Sequence, residues 1–242
     1  MRILITNDDG IEAPGIRALA EFAMTLGEVT VIAPKVEQSG KSQAIDFTHP
    51  FAIREVDFGL PIRAFSVDST PADCVRFGLD GLMEKFDLLL SGINRGVNLG
   101  ADIVYSGTVG AIFEAGRQGL AGIALSTYPD TLAEAVTELP SLFNLFKEKN
   151  LLGLNPLYNV NIPKAPVGYR ITKQGSPYFS DEFIRLDGEN YMQTGSILTD
   201  TSPNDEFRDT VALARGYVSI TPLSVNRTAM NVFEELNRQN QV

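Results

Sequence analysis

The chain opens on Met1-Arg-Ile-Leu-Ile-Thr-Asn-Asp-Asp-Gly10, and this opening limits the fold more than any other stretch. Arg2 to Thr6 is a short apolar run with β-branched residues, closed at once by polar residues and a glycine turn. Such a run is predicted to be a buried strand. Two adjacent carboxylates, Asp8 and Asp9, then fall where that strand ends. In an open α/β sheet, ligands bind at the carboxyl ends of the strands. Like charges this close repel, and burial worsens the repulsion, unless something positive lies between them. A divalent cation is the simplest neutraliser. The competing reading is a solvated Asp-Asp-Gly turn capping the next helix.

Downstream, strand and helix patterns alternate. Pro14 sits near the first turn of a helix whose stripe is Ile16, Leu19, Ala20, Ala23 and Met24, ended by Gly27. Residues 28–33 are predicted as a second strand and 34–42 as a polar loop, with further strands near 51–56 and 63–67. Thr70-Pro-Ala-Asp73 has the shape of a capping box with proline at the first helical position, leading a helix to about Leu79. A short strand is predicted at 87–90, a glycine–asparagine loop at 91–100, brief extended structure at 101–105 and a helix at 109–118. Another strand at 122–126 and a helix at 132–149, kinked at Pro140, complete this part. The alternation predicts an α/β fold, a Rossmann-like, doubly wound, mainly parallel sheet over residues 1–155. Residues 156–242 read differently: strands near 158–162, 169–173 and 216–221, a glycine- and serine-rich stretch between them, and a terminal helix at 228–238. They are predicted to complete the single domain with a C-terminal β-hairpin and helical arm.

Composition narrows the chemistry. With 242 residues, 44% hydrophobic and 21% charged, the chain lies in the globular range. No apolar stretch reaches membrane-spanning length and the opening residues lack a signal-peptide pattern, so a cytoplasmic protein without membrane contact is expected. Cys74 is the only cysteine and His49 the only histidine. An intrachain disulfide is therefore impossible, a cysteine-based zinc site is not supported, and mechanisms needing two histidines are excluded. No Gly-x-Ser-x-Gly elbow is present. Cys74 is read as packing, and His49, before Pro50, as a loop residue. What remains is oxygen-ligand chemistry, which suits magnesium, manganese or calcium. The net charge of −10 argues against binding a nucleic-acid polymer, but not against a small anionic substrate held by a cation or a helix N-terminus.

Four segments can converge on one sheet edge: Asp8-Asp9, Ser39-Gly40, the loop carrying Asn94 and Asn98, and Ser106-Gly107-Thr108 at a helix start. Together they offer two charges, neutral oxygens and amide donors. Oxygen donors fit a hard cation that keeps several waters, and the Ser106-Gly107-Thr108 turn fits a phosphate. Singly each has an ordinary structural reading: an N-cap at Ser106, a structural loop at 91–100.

Ile3-Leu-Ile-Thr-Asn-Asp-Asp-Gly-Ile-Glu-Ala-Pro-Gly15 resembles the opening signature of the SurE (survival protein E) family of metal-dependent nucleoside monophosphate phosphatases. The 34–42 loop with Gln38-Ser39-Gly40, Ser66-Val-Asp-Ser-Thr-Pro-Ala-Asp-Cys-Val75, Ser91-Gly-Ile-Asn-Arg-Gly-Val-Asn-Leu-Gly100 and Tyr105-Ser-Gly-Thr-Val-Gly-Ala111 resemble its later motifs, in order. Ala214-Arg-Gly-Tyr-Val-Ser-Ile-Thr-Pro-Leu223 also fits. The resemblance implies a Rossmann-like core and one divalent ion per subunit, Mg2+ or Mn2+, held by Asp8, Asp9, Ser39 and Asn94. It implies that Asn98, Ser106, Gly107 and Thr108 hold the phosphate, with Asp8, Asp9 and Asn94 catalytic. It also implies a homodimer or homotetramer joined by exchanged C-terminal elements. Residues 180–207 do not align with the family, and Arg208-Asp209-Thr210 replaces its more regular Thr-Asp pattern, so substrate preference and arm geometry stay open.

The expected reaction is metal-assisted hydrolysis of nucleoside 5′-monophosphates to nucleoside and inorganic phosphate, with 3′-monophosphates and short polyphosphate as further candidate substrates. Three rivals stand beside it. A covalent aspartyl-phosphate route usually wants two aspartates one residue apart, and these are adjacent. A receiver-like switch needs a phosphoacceptor Asp at a central strand end, where this chain offers Ser91-Gly92-Ile93-Asn94. A nucleotide-binding module without turnover is the third. Tyr105, Phe113 and Phe179 are candidates for base stacking.

Overall fold

The structure is a computed structural model that describes residues 1–200 and 202–239. Its elements, in chain order, begin with β1 (Arg2–Thr6), α1 (Pro14–Ala23), β2 (Glu28–Pro34), β3 (Ile53–Glu55), β4 (Arg63–Val67) and α2 (Pro71–Arg76). β5 (Leu88–Arg95), α3 (Gly107–Arg117), β6 (Gly122–Thr127), α4 (Leu132–Glu148), α5 (Leu151–Leu154) and β7 (Leu157–Ile162) follow. The remainder comprises β8 (Gly168–Ile171), β9 (Glu182–Arg185), β10 (Tyr191–Thr194), α6 (Asp209–Ala214), β11 (Tyr217–Leu223) and α7 (Met230–Gln239).

The opening strand shows why the sheet needs helices on both faces. Ile3, Leu4 and Ile5 are all fully buried. Successive side chains of a strand point to opposite faces. Ile3 and Ile5 accordingly pack with Ile16 and Leu19 of α1, while Leu4 packs with Cys74 of α2 and Val109 and Ile112 of α3. Each such side chain contributes roughly 1.5–3 kcal/mol by leaving water. Apolar runs without alternation are thus the mark of a sheet buried twice. Gly15 lets α1 lie against the end of β5, since a Cβ there would stand 2.0 Å from the Ile93 carbonyl oxygen.

Nine strands form one sheet in the order β3-β4-β2-β1-β5-β6-β7-β11-β8. From β4 to β7 every pairing is parallel. β3 and β11 run antiparallel to their neighbours β4 and β7. The fold is α/β, as expected from the alternation. Chain progression reverses between β1 and β5, so the crevice at their carboxyl ends is the topological switch point where such sheets bind ligands. β9 and β10 make a separate antiparallel hairpin, and α7 buries none of its residues. No described helix is long and apolar enough to cross a membrane.

Several local expectations differ from what forms. β5 continues past Leu90 to Arg95, because its register against β6 shifts between Ser91 and Asn94 instead of ending. Asn94 is therefore a strand-end residue and not part of a free loop. Residues 101–105, read as extended, lie in a 3-10 turn that spans Gly100–Tyr105. α2 stops at Arg76 and gives way to a π turn at Phe77–Gly81. α4 forms as expected, with Pro140 inside it and on its exposed face. The short α6 was not legible at all.

Candidate functional site

The loop after β1 is shaped by Asn7, whose buried amide donates to the Gly10 carbonyl at 2.8 Å and accepts the Gly10 N–H at 3.2 Å. Gly10, at φ 100°, makes the reversal that a side chain would resist. The 34–42 loop is tied to this one by its backbone, with the Gln38 N–H donating to the Asp8 carbonyl at 2.7 Å. Asp8 is thereby turned inward, 4% exposed, against the start of α3.

There the Thr108 hydroxyl donates to Asp8 Oδ1 at 2.5 Å, and the Thr108 N–H supports the same carboxylate. Ser106 caps the helix by accepting the Val109 N–H at 3.1 Å. Gly107 permits the close approach, since a Cβ on it would meet Asp8 Cβ at 2.8 Å and Oδ2 at 2.9 Å. Burial pushes the Asp8 carboxyl up to about 6, against the Thr108 hydrogen bond that lowers it, with Asp9 adding repulsion. Asp9 is also raised, first by burial, although it accepts the Arg95 N–H at 3.0 Å; Glu37 adds to the rise.

The other predicted metal and phosphate residues lie in or beside the same place. Ser39 and Asn94 line one cavity of about 1060 Å3 with Asp8 and Asp9. Ser39 is exposed, and its hydroxyl donates to Glu37 at 2.6 Å. Asn94 donates its amide to the Gly96 carbonyl at 2.7 Å, which leaves its carbonyl oxygen for a ligand. Asn98 lines the cavity too, but is firmly held: its side chain donates to Ser126 Oγ at 2.8 Å and its N–H to Asn161 Oδ1 at 2.8 Å. Ser106 lines the wall, whereas Thr108 serves Asp8 directly. By helix geometry the Gly107 N–H has no partner inside the helix. Tyr105 and Phe179 face the cavity. Phe113 instead packs with the α2–α3 core, beneath the Arg227 guanidinium at 5.7 Å, and is withdrawn as a stacking residue. His49 is an exposed loop residue beside Asp46, and Cys74 is wholly buried.

Asn159 and Asn161 were missed. Both are fully buried on β7, and both donate to the Asn98 carbonyl, at 2.9 and 2.8 Å. Two asparagines spaced by one residue in an apolar strand share a face, and a buried amide needs a partner. The Tyr158-Asn-Val-Asn-Ile162 pattern therefore carried the signal.

The chain is a doubly wound α/β protein with an acidic pair at its switch point, one member of which, Asp8, lies against a helix N-terminus, the kind of place where such folds bind phosphate-bearing ligands. The family model described as Survival protein SurE matches residues 3–181, and the chain belongs to the SurE family. It is 37% identical over 255 residues to the 5′-nucleotidase SurE of Thermosipho melanesiensis, covering 99% of this chain and 97% of that protein. It is 36% identical over 248 residues to the 5′-nucleotidase SurE of Legionella pneumophila, covering 98% of this chain and 96% of that one. Its fold matches the crystal structure of the SurE protein from Aquifex aeolicus with a TM-score of 0.77 at 30% identity, over the full length of both chains.

Proposed function

We propose that this chain is a divalent-metal-dependent 5′-nucleotidase, releasing inorganic phosphate from nucleoside monophosphates. The observation that carries the reading is the Asp8–Asp9 pair at the switch point, Asp8 buried and Asp9 half-buried, both carboxyls raised first by desolvation and further by a neighbouring negative charge, Asp9 for Asp8 and Glu37 for Asp9. Full-length relatives named 5′-nucleotidase SurE support the same activity.

The donor chemistry fits a hard cation. Among the described residues no group of three His, Cys, Asp or Glu side chains could hold a metal ion, so two carboxylates must be supplemented by neutral oxygens. Asp8, Asp9, Ser39 and Asn94 would hold it, an oxygen-only set that suits Mg2+ or Mn2+ with retained waters. When bound, such an ion withdraws charge from a phosphoryl oxygen and acidifies a coordinated water.

The protein's own groups do the rest. Thr108 fixes the Asp8 carboxylate in one orientation, leaving its other oxygen for ligands. The Arg95 N–H does the same for Asp9. The free Gly107 N–H and the α3 dipole favour the phosphate anion. Asn98, clamped by Asn159, Asn161 and Ser126, presents a rigid polar wall beside it. Preorganised donors of this kind stabilise charge on the transferring phosphoryl group.

We read residues 1–155 as the catalytic core and 156–242 as the strands and arm that join copies into a homodimer or homotetramer. The exposed apolar side chains of α7, including Val232, Phe233 and Leu236, support association. The reading further assigns a cytoplasmic location, and 3′-monophosphates and short polyphosphate as secondary substrates.

The test is phosphate release from a panel of nucleoside monophosphates with Mg2+ or Mn2+, and with EDTA. Steady, metal-dependent turnover is the expected outcome, abolished by EDTA and restored by excess metal. Binding of nucleotide without turnover under every metal condition would make the chain a binding module.

A further inference from the structure

The cavity extends well beyond the acidic pair, and its far wall is built from the root of the β9–β10 arm. Tyr178 and Phe179 stand there as an edge-to-face pair, ring centroids 4.9 Å apart. The pair is fastened from the catalytic side. Asp102, in the 3-10 turn that leads to Ser106, accepts the Tyr178 N–H at 2.7 Å and the Phe179 N–H at 2.8 Å, both on Oδ2. Next to it Asp209, fully buried, accepts the Gly100 N–H at 3.0 Å and the Gly175 N–H at 2.8 Å. The two backbones touch here: a Cβ on Gly100 would stand 1.9 Å from the Ser176 carbonyl oxygen. Tyr128, which follows β6, lines the same cavity with Tyr178. The hairpin, exposed along β9, is thus fastened to the core where it faces the site.

The geometry points to a division of the cavity: the Tyr178–Phe179 pair is the surface on which the nucleobase packs, and Asp102 is the positioning residue that sets it. This rests on the nucleotidase reading and names the part of the substrate that the second half of the cavity takes. Aromatic faces stack on any base, so the wall selects for a base-bearing ester over a bare sugar phosphate without choosing among bases. Phe179 is 47% exposed, so ring surface is available. Because both N–H groups meet a single carboxylate oxygen, the amide oxygen of an asparagine at position 102 can accept them equally; alanine cannot.

The experiment measures equilibrium binding of adenosine and, separately, of inorganic phosphate with Mn2+ present, for the wild type, Phe179→Ala, Asp102→Ala and Asp102→Asn. Phe179→Ala and Asp102→Ala should each weaken adenosine roughly tenfold, with KM for AMP rising in step and kcat little changed. Phosphate binding should stay within about twofold, and Asp102→Asn should bind adenosine like the wild type. Phe179 is at the surface, so its variant folds whatever Asp102→Ala does. Unchanged adenosine affinity in both alanine variants, or parallel loss of adenosine and phosphate, would overturn the inference. Failure of the wild type to hydrolyse AMP while adenosine binding follows this pattern would instead remove the nucleotidase reading and leave the wall intact.

Discussion

Asp8→Asn is expected to lower phosphatase turnover by roughly 10³-fold or more while making the metal-free protein more stable. The two effects share one cause. A carboxyl raised from 3.8 to about 6 binds its proton more readily in the folded state than in the unfolded chain. Stability is therefore greatest below the unfolded value and declines as pH rises through the folded one. At pH 7 the full penalty is present, roughly 3 kcal/mol from the difference between the two values. Asparagine has the same shape and can accept the Thr108 hydroxyl, but carries no charge to desolvate. The variant should melt several degrees higher at pH 7 without metal, and this gain should vanish near pH 4. Scanning calorimetry at the two pH values, paired with phosphate-release kinetics, checks both halves. Near-normal kcat, or a lower melting temperature at pH 7, would show that Asp8 is a structural carboxylate and not a strained ligand.

Gly107→Ala is the second large effect. At most positions in a helix this change is favourable by roughly 0.5–1 kcal/mol. Here the added methyl would stand 2.8 Å from Asp8 Cβ and 2.9 Å from its Oδ2. One of the two must move, and both belong to elements pinned by their neighbours: Asp8 by Asn7 and Gln38 through its loop, α3 by the Ser106 cap. A displacement of about 1 Å in a catalytic group costs on the order of 10²-fold in rate. The expected result is a loss of that size in kcat with the cooperative unfolding transition retained. Full activity would mean that Asp8 and the α3 start need not touch for catalysis.

The core of the fold was legible because its signals are local. Ile3, Leu4 and Ile5 need cover on both faces, and the helices that supply it carry their own stripes and caps, such as Thr70 accepting the Asp73 N–H. The acidic pair was legible for the same reason, since two carboxylates at a strand end are conspicuous. What supports them was hidden. Asn159 and Asn161 lie more than sixty residues from Asn98, and nothing short-range pairs them. Asp102 and Asp209 likewise act on Tyr178, Phe179 and Gly175, across separations set by topology alone. The bulge that carries β5 on to Arg95 was masked by glycine and asparagine, which read equally well as a loop. Phe113 illustrates the converse error: an aromatic close to the motifs in sequence points into the core once the helix face is known.

The most direct measurement is an anomalous difference map from crystals grown with manganese. It should show one ion per subunit in contact with the Asp8 and Asp9 carboxylates, with Asn94 and Ser39 beside it. A map with no ion there, and the aspartates turned to bulk solvent away from Asn94, would contradict a metal-dependent phosphatase at this site.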